Sequence, residues 1–370
     1  MWSLLLLAAC VSPSPEVVDG APPSVDATGD TGPDDVDSGT SVDDTGRLGL
    51  LALNLHCLKL DGTPFVDQDA RWAAIAQAVA AGDVDVLALQ EVCVRDDLDA
   101  LVELEGALEA ATGDAWDGAF VLAHVAWEGT ADEADEGVGL LSRVGLSEPT
   151  ELAYVDPGDL RRVGLFATLD DGTTVATVHL DYGSETARED QGRQTASQVL
   201  AAAGSLDVLV AGDLNARAGS PTHAAFGAMG FRDVSIEAGA DIDHAFAHRG
   251  GRWQVERSEV WFEGDAAVSD HPGVFVELLV GEAEPVELTR IVANVDVGFG
   301  ATLSVRGDTE PLSWERGWWA WPVAADRWEL VLTEVEGGFA FKTLIDDTTW
   351  QVGEDAVGEA GADHTVSPSF

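Results

Sequence analysis

The chain has 370 residues, of which 46% are hydrophobic, and a formal net charge of −48 at pH 7. This length exceeds what one hydrophobic core usually serves, so we expect two domains, each with enough apolar residues to pack. The negative charge repels polyanions, which makes stable binding along duplex nucleic acid by phosphate neutralisation unfavourable. It does not exclude brief, metal-assisted contact with a phosphate, and it is equally typical of a surface adapted to solubility or high salt.

Residues 1–10 combine an apolar stretch too short to span a bilayer with two small residues before a cysteine. The segment Leu7-Ala8-Ala9-Cys10 resembles the lipobox of bacterial lipoproteins, although no lysine or arginine precedes it. The resemblance implies that Cys10 is the lipidated first residue of the mature chain, so that contact with a membrane is made through this anchor. A short, ordinary secretion signal is the alternative. Both interpretations predict an exported protein, either a lipoprotein of the bacterial cell envelope, in the periplasm or at the cell surface, or a secreted protein.

Residues 11–46 contain nine acidic residues but no basic and no aromatic ones. Proline, serine, threonine and glycine are interleaved with the acids. Because such a segment cannot bury enough apolar surface to fold, we predict an acidic, disordered linker that its own charges keep extended.

Strands and helices alternate along residues 47–281, which is typical of a mixed α/β domain. The first strand, over residues 47–56, is apolar on both faces and is therefore expected at the centre of a sheet. The other predicted strands cover residues 84–91, 138–141, 165–169, 173–180 and 207–211, and helices are predicted over residues 67–82, 95–112 and 187–203.

The composition changes after residue 280. Residues 281–285 are predicted to be a linker, and residues 286–370 contain short β-prone segments separated by glycine and aspartate turns. Six of the twelve tryptophans lie in this last part, and no helix is predicted there. We therefore expect a second, all-β domain over residues 286–370.

Several predicted strands end in side chains that bind metal ions or transfer protons. Because strand ends can bring carboxylates, amides and imidazoles together around one phosphate and its metal ion, these residues are candidates for one active site. They are Asn54, Gln90, Glu91, His179, Asp213, Asn215, Ser269, Asp270 and His271.

Together with Glu136 and Asp243, and in this order along the chain, these residues resemble the endonuclease/exonuclease/phosphatase superfamily over roughly residues 47–280. Residues 141–143 (Leu-Ser-Arg) and 242–246 (Ile-Asp-His-Ala-Phe) are similar to further segments of that family. The resemblance implies an α/β (α+β) fold in which two β-sheets pack face to face with helices outside, a four-layer αββα sandwich. The small all-β sandwich domain would follow it.

The resemblance implies hydrolysis of a phosphoester by a water molecule, with Mg²⁺ as the cofactor and Mn²⁺ or Ca²⁺ as alternatives. Mg²⁺ prefers oxygen ligands, and the family positions imply that Glu91, Asn54 and Asp270 supply them. Asp213 is expected to activate the attacking water, and Asn215, two residues further along the same turn, is expected to bind the phosphate.

By the same resemblance, His271 and His179 flank the phosphate and stabilise the transition state. Asp243 is expected to orient His271 and Glu136 to orient His179, and each carboxylate would raise the pKa of its imidazole. The sequence leaves open which histidine is the general acid.

Arg161 or Arg162, just before a predicted strand, is a candidate for binding a phosphate oxygen, although a solvated surface arginine fits the same position. Five other histidines have no comparable support and are interpreted as surface or core residues. They are His56, His124, His223, His244 and His248.

Cys57 and Cys93 follow the strand ends at Asn54 and Glu91 by three and two residues. If those strands are neighbours, both thiols lie at the same edge of the sheet. A disulfide in an oxidising compartment and two buried thiols are both compatible with this spacing.

Residues 286–370 resemble a starch-binding β-sandwich module in residues 303–308, 311–314, 339–342 and 348–353. The resemblance implies that Trp314 and Trp350 stack on sugar rings, which makes a glucan an expected ligand. Packing in a core is the alternative role for these two side chains. The other tryptophans of this part are expected in core or domain contacts.

The sequence thus predicts an exported, Mg²⁺-dependent phosphoester hydrolase, with phosphodiesterase as the favoured activity, because every core position of the resemblance is filled. The substrate is expected to be small or lipid-borne, and an extracellular nuclease is the alternative within the same class. A non-catalytic, glycan-binding surface protein with a decayed hydrolase domain is the alternative from another class.

Overall fold

The computed structural model describes residues 46–370. The signal segment, the expected lipidation site Cys10 and the linker up to residue 45 lie outside the described residues. Within residues 46–370, no helix is both long enough and apolar enough to cross a membrane.

Residues 47–280 contain thirteen strands and four α-helices. In chain order they are β1 (Arg47–Asn54), α1 (Gln68–Gly82), β2 (Val86–Arg95), β3 (Leu98–Asp99), α2 (Ala100–Thr112), β4 (Asp117–Ala126), β5 (Ala134–Ser142), β6 (Ser147–Ala153), β7 (Val163–Thr168), β8 (Thr174–His179), α3 (Glu185–Ala203), β9 (Val208–Asp213), α4 (Pro221–Ala228), β10 (Phe231–Asp233), β11 (Asp243–His248), β12 (Trp253–Trp261) and β13 (Gly273–Val280).

Residues 281–370 contain nine further strands and no α-helix. They are β14 (Leu288–Asn294), β15 (Leu303–Gly307), β16 (Trp318–Trp319), β17 (Trp321–Ala324), β18 (Arg327–Thr333), β19 (Gly338–Ile345), β20 (Thr349–Trp350), β21 (Ala356–Glu359) and β22 (Asp363–Val366).

Two β-sheets form the centre of residues 47–280. The first has the strand order β12-β13-β1-β2-β5-β4, with β3 on β2, and the second has the order β10-β11-β9-β8-β7-β6. Pairing is parallel between β1 and β2 and between β8 and β9. Leu50 and Val86 of the first sheet share one buried cluster with Val175 and Leu209 of the second. The two sheets therefore pack face to face.

Helices cover the outer faces of both sheets. Trp72 of α1 and Leu104 of α2 are buried in one cluster with Leu51 of β1, on the first sheet. Val199 of α3 is buried with Val210 of β9, on the second sheet. These layers are the predicted αββα sandwich, and the prediction of this fold class is confirmed.

The start of α2 differs from the prediction. The chain continues as strand β2 up to Arg95, and residues 98–99 pair back onto β2. Asp99 then caps the helix, because its Oδ1 accepts the N–H groups of Leu101 and Val102 at 3.0 and 3.2 Å. The helix therefore begins at Ala100, five residues later than expected.

Residues 281–370 form two further sheets, with the strand orders β17-β18-β14-β22 and β16-β15-β19-β20, and with β21 on β19. This part is all-β, as expected. Trp318, Trp319 and Trp328 are buried, in agreement with their expected packing role.

Helix α3 lies between the second sheet and the C-terminal sheets. The guanidinium of Arg193 lies 3.9 Å from the ring centroid of Trp318, and Gln198 Nε2 donates to the carbonyl oxygen of Ala320 at 2.8 Å. The buried cluster that contains Val199 continues into β18 through Leu330. Both parts of the chain thus share one core, and a division into independent domains at residues 281–286 stays a prediction.

Cys57 and Cys93 are joined by a disulfide. The bond links the segment after β1 to β2, and both cysteines are buried. Of the two alternatives left open by the sequence, the structure therefore contains the crosslink.

His248, the last residue of β11, is one of the residues through which stability depends on pH. Its side chain is buried, and its Nδ1 accepts the N–H of Gly250 at 3.2 Å. Burial, followed by the charge of Arg249, lowers the pKa of His248 from 6.5 to about 4. Between these pH values the unfolded chain binds a proton that the folded chain does not. Lowering the pH through this window therefore reduces the free energy of unfolding by about 3 kcal/mol through this residue.

We expect His248→Asn, whose amide oxygen takes the place of Nδ1 as acceptor of the Gly250 N–H, to lose less free energy of unfolding than the parent when the pH falls from 6.5 to about 4. Urea denaturation followed by circular dichroism measures the difference. Well above pH 6.5 the two proteins should differ by a pH-independent amount, which is the control. Equal losses in both proteins on acidification would contradict the prediction.

Candidate active site

The polar residues that end strands of both sheets meet at one edge of the sandwich. Asn54 is in register with Gln90 in the first sheet, and His179 is in register with Asp213 in the second. Since the parallel strands of each pair end at the same edge, their terminal side chains can approach one another. The structure brings together seven of the predicted residues: Asn54, Glu91, His179, Asp213, Asp243, Asp270 and His271.

Asp213 lies at the centre of this group, and its side chain is almost completely buried. Its Oδ2 lies 3.2 Å from Asn54 Nδ2 and 3.5 Å from His179 Nε2. The same oxygen is 3.8 Å from His271 Nδ1. Burial, followed by the charge of Asp243, raises the pKa of Asp213 to about 7. A carboxylate with such a pKa can accept a proton near neutral pH.

Asp243 holds His271, as the resemblance implies. Its Oδ2 lies 3.0 Å from His271 Nδ1. Burial alone would lower the pKa of His271, but the hydrogen bond and charge of Asp243, assisted by Asp213 and Asp270, raise it to about 9. His271 is therefore an imidazolium at neutral pH, and because Nδ1 is bonded to Asp243, its Nε2–H is the group left to act on a substrate.

The partner of His179 is Arg162, not Glu136. Arg162 Nη1 lies 3.0 Å from His179 Nδ1, and Glu136 Oε1 lies 3.8 Å from the same Nη1. The predicted direct contact between Glu136 and His179 is therefore wrong, because the buried guanidinium occupies the space between them. Glu136 acts on His179 only through Arg162. Burial, followed by the charge of Glu91, raises the pKa of Glu136 to about 7.

The prediction of a raised pKa for His179 is also wrong. Burial, followed by the charge of Arg162, lowers the pKa of His179 well below its usual range. The ring is therefore neutral, and since Arg162 can only donate, Nδ1 is the acceptor and Nε2 carries the proton. This Nε2–H points toward Asp213 and toward Glu91, whose nearest oxygen is 4.0 Å away.

Glu91 and Asp270 present carboxylates to one small volume of the site. Asp270 Oδ2 lies 3.2 Å and Glu91 Oε2 lies 3.9 Å from His56 Nδ1. Glu91 sits at an irregularity in the pairing of β2 with β5 and has a positive φ of 48°, which turns its side chain toward this edge. His56 belongs to the site although no role was predicted for it from the sequence. Its place two residues after Asn54, at the same strand end, was the available signal.

Asn54 contacts Glu91 through its amide nitrogen. Nδ2 lies 3.0 Å from Glu91 Oε1, while Oδ1 accepts the backbone N–H of His56 at 2.9 Å. In this arrangement Asn54 orients Glu91, and its expected role as an oxygen ligand of a metal ion stays a prediction.

The donor set of this edge fits a hard divalent cation. Glu91 and Asp270 make no ion pair with a lysine or arginine within residues 46–370. Carboxylates that converge in this way repel one another, and a cation with oxygen ligands such as Mg²⁺ would relieve the repulsion.

Two of the residues expected to bind phosphate have other partners. Arg161 is half exposed, and its guanidinium pairs with Glu151 and with the carbonyl oxygen of Ala123, so its role in binding phosphate stays a prediction. Asn215 Nδ2 donates to the carbonyl oxygen of Leu180 at 3.0 Å. One of its two N–H groups is thus engaged in holding the turn rather than directed to a substrate. Arg162, by contrast, contacts His179 and lies in the site beside the seven residues named above.

Comparison with known proteins agrees with this geometry. The model of the Endonuclease/Exonuclease/phosphatase family matches residues 51–271. No curated protein matches the chain.

Three solved structures share the fold at low sequence identity. An endonuclease/exonuclease/phosphatase from Beutenbergia cavernae DSM 12333 is 18% identical, with 85% of this chain and 99% of that chain covered and a TM-score of 0.52. A family protein from Leptotrichia buccalis C-1013-b is 17% identical, covers 62% of this chain and 98% of that chain, and has a TM-score of 0.50. The human Nocturnin catalytic domain with bound sulfate anion is 16% identical. The match covers 64% of this chain and 95% of that chain, and its TM-score is also 0.50. At such identities these structures show the shared fold alone.

The family match covers more than half of the chain. It includes all seven side chains that the structure brings together at the edge of the sandwich. The chain therefore belongs to the Endonuclease/Exonuclease/phosphatase family, a superfamily of hydrolases.

Proposed function

We propose that this protein is an exported hydrolase that depends on a divalent metal ion and cleaves phosphodiesters. The observation that carries the proposal is the convergence of Glu91, the buried carboxyl group of Asp213 and the ring of His271, which is bonded to Asp243, at one edge of the fold. A metal ligand, a proton acceptor and a proton donor are the groups that hydrolysis of a phosphoester by water needs.

Glu91 and Asp270, with Asn54, would hold the divalent cation, which supplies positive charge to the phosphate oxygens when it is bound. Asp213 would take the proton from the attacking water, since burial keeps its pKa near neutral. The contact of Asp213 with Asn54 fixes the direction of its carboxylate. The backbone N–H of Asn215 donates to Asp213 Oδ1 at 2.7 Å and fixes the second oxygen.

The two histidines would have different roles toward the substrate. His271, kept protonated by Asp243, can give its Nε2 proton to the leaving oxygen. His179 is neutral and can only donate a hydrogen bond through Nε2–H, which would stabilise charge on a phosphate oxygen. In this proposal His271 is the general acid.

Charge supports a phosphodiester of small size or a lipid headgroup as the substrate. The whole chain carries −48, and the site itself is lined by carboxylates. A phosphodiester has one negative charge where a phosphomonoester has close to two, so it is repelled less. A long duplex multiplies this repulsion, which makes an extracellular nuclease the less favoured activity. An anchor at Cys10 would keep the enzyme near lipid substrates.

A second proposed function, glucan binding, rests on two tryptophans of residues 286–370 whose positions resemble those of sugar-stacking tryptophans in starch-binding modules. The rings of Trp314 and Trp350 are 36% and 40% exposed and lie side by side, with their centroids 6.2 Å apart. Arg306 holds both, because its guanidinium lies 5.3 Å from the Trp350 ring and donates to the carbonyl oxygen of Trp314 at 3.0 Å. Two exposed rings that lie side by side are suited to stacking on sugars.

We expect hydrolysis of bis(p-nitrophenyl) phosphate in the presence of Mg²⁺, Mn²⁺ or Ca²⁺, and a loss of at least about 100-fold in kcat/KM in Glu91→Gln and in His271→Gln. Release of p-nitrophenolate measures the rate. Glu336→Gln, which removes an exposed carboxylate from a C-terminal turn, should keep the parent rate. Equal rates in all four proteins would instead favour the non-catalytic alternative.

A substrate panel under one metal condition tests the substrate class. We expect sphingomyelin or another small phosphodiester to be cleaved faster than p-nitrophenyl phosphate and plasmid DNA, because the acidic surface repels dianions and polyanions. Single-stranded DNA and RNA complete the panel. Preferential cleavage of plasmid at low salt would assign the protein to the nucleases.

Retention on insoluble starch tests the glucan site. We expect Trp350→Ala to reduce the retained fraction severalfold, since the variant loses one of the two stacking rings. Trp127→Ala is the matched control, because Trp127 is similarly exposed but lies outside the C-terminal sheets. Elution of the parent protein in the void fraction would remove the proposal.

A further inference from the structure

A second cluster of metal-binding side chains lies apart from the candidate active site. His223 is in the first turn of α4, Asp233 ends β10 and His244 is the second residue of β11. His223 Nε2 and His244 Nδ1 lie 3.0 and 2.8 Å from the same oxygen, Asp233 Oδ2. The three atoms are within 4.8 Å of one another. We propose that these residues form a Zn²⁺ site.

Proton counting shows that the contact between His244 and Asp233 needs a second positive group, either a second proton on the ring or a bound metal ion. His244 Nε2 lies 3.0 Å from the carbonyl oxygen of Ala216, which can only accept, so Nε2 carries a proton. A neutral imidazole has one N–H, and Nδ1 would therefore aim its lone pair at a carboxylate oxygen 2.8 Å away. Both side chains are buried, so water cannot screen the repulsion. Only a second proton or a metal ion at this place makes the contact favourable.

The surrounding contacts are those of a metal ligand set. A metal-bound histidine usually donates its outer N–H to a backbone carbonyl or a carboxylate, as His244 does to Ala216. The other oxygen of Asp233, Oδ1, accepts the N–H of Ser235 at 2.9 Å and its hydroxyl at 2.6 Å. These bonds fix the carboxylate and leave Oδ2 for the ion. No lysine or arginine of the described residues pairs with Asp233.

The donor types select zinc over magnesium. Two imidazole nitrogens and one carboxylate oxygen match the ligand sets of Zn²⁺, with water as the fourth ligand, whereas Mg²⁺ favours oxygen throughout. The side chain of His223 is 19% exposed, while those of Asp233 and His244 are nearly inaccessible. An ion can therefore enter from the side of α4.

The site would connect three elements next to the reacting groups. Zinc would join α4, β10 and β11 at the start of β11, where Asp243 is the neighbour of His244 in the chain and holds His271. Its effect is thus expected on stability and on the position of Asp243, and it needs no part in the hydrolysis itself.

Zinc content tests the site. The full chain is dialysed against Zn²⁺ and then against a zinc-free buffer that contains excess Mg²⁺. We expect the protein to retain one equivalent of zinc, measured by mass spectrometry. Glu91→Gln, altered in the candidate active site, and His364→Gln, altered in the outer strand β22, should also retain one equivalent. His223→Gln should retain none. Absence of zinc from the parent, or full retention by His223→Gln, would overturn the proposal.

Two further measurements keep the test decisive if a variant does not fold. Added Zn²⁺ in excess Mg²⁺ should raise the melting temperature of the parent and of Glu91→Gln, because an ion that binds only the folded state stabilises it. In crystals of the parent soaked with Zn²⁺ and Mg²⁺, anomalous scattering at the zinc edge should give a peak between His223, Asp233 and His244. A peak only at Glu91 and Asp270, or no peak, would show that the inference is wrong.

Discussion

The buried carboxylate of Asp213 connects the two sheets at the edge where hydrolysis is proposed. It ends β9 in the second sheet, contacts His179 beside it, and bonds Asn54 of the first sheet at 3.2 Å. This closeness depends on Gly212, whose φ is 145° and where a Cβ would clash with the carbonyl oxygen of Val178. A side chain at residue 212 would separate β8 from β9 and displace the carboxylate on which the other contacts converge.

The two histidines around Asp213 differ because their partners differ. Asp243 makes His271 a cation, and Arg162 makes His179 a neutral donor with a fixed tautomer. One fold thus obtains an acid and a hydrogen-bond donor from the same residue type through the charge of the neighbour. The resemblance in sequence treated both rings alike, since Asp243 and Glu136 are both carboxylates.

The polar strand ends were sufficient to predict that these residues meet at one edge, because strand direction fixes which edge a terminal residue reaches. The sandwich itself was predicted from the family resemblance that these residues carry. The position of Arg162 and the core shared with the C-terminal sheets depend on side-chain packing. The insertion of Arg162 between Glu136 and His179 depends on a buried contact that no spacing reveals. The shared core was missed because α3 places polar residues on its buried side. From the sequence, Gln194 and Gln198 are expected to face solvent. In the structure Gln194 donates to the carbonyl oxygen of Ala153 in the second sheet, and Gln198 donates to that of Ala320 in the C-terminal part.

The crosslink between Cys57 and Cys93 closes a loop of 36 residues that contains all of α1. Restricting the unfolded chain in this way is worth about 4 kcal/mol. The same bond joins the segment of His56 to the strand of Glu91. Protein produced in a reducing cytosol would lack this disulfide. The redox conditions of a preparation therefore affect both its stability and the position of the Glu91 carboxylate.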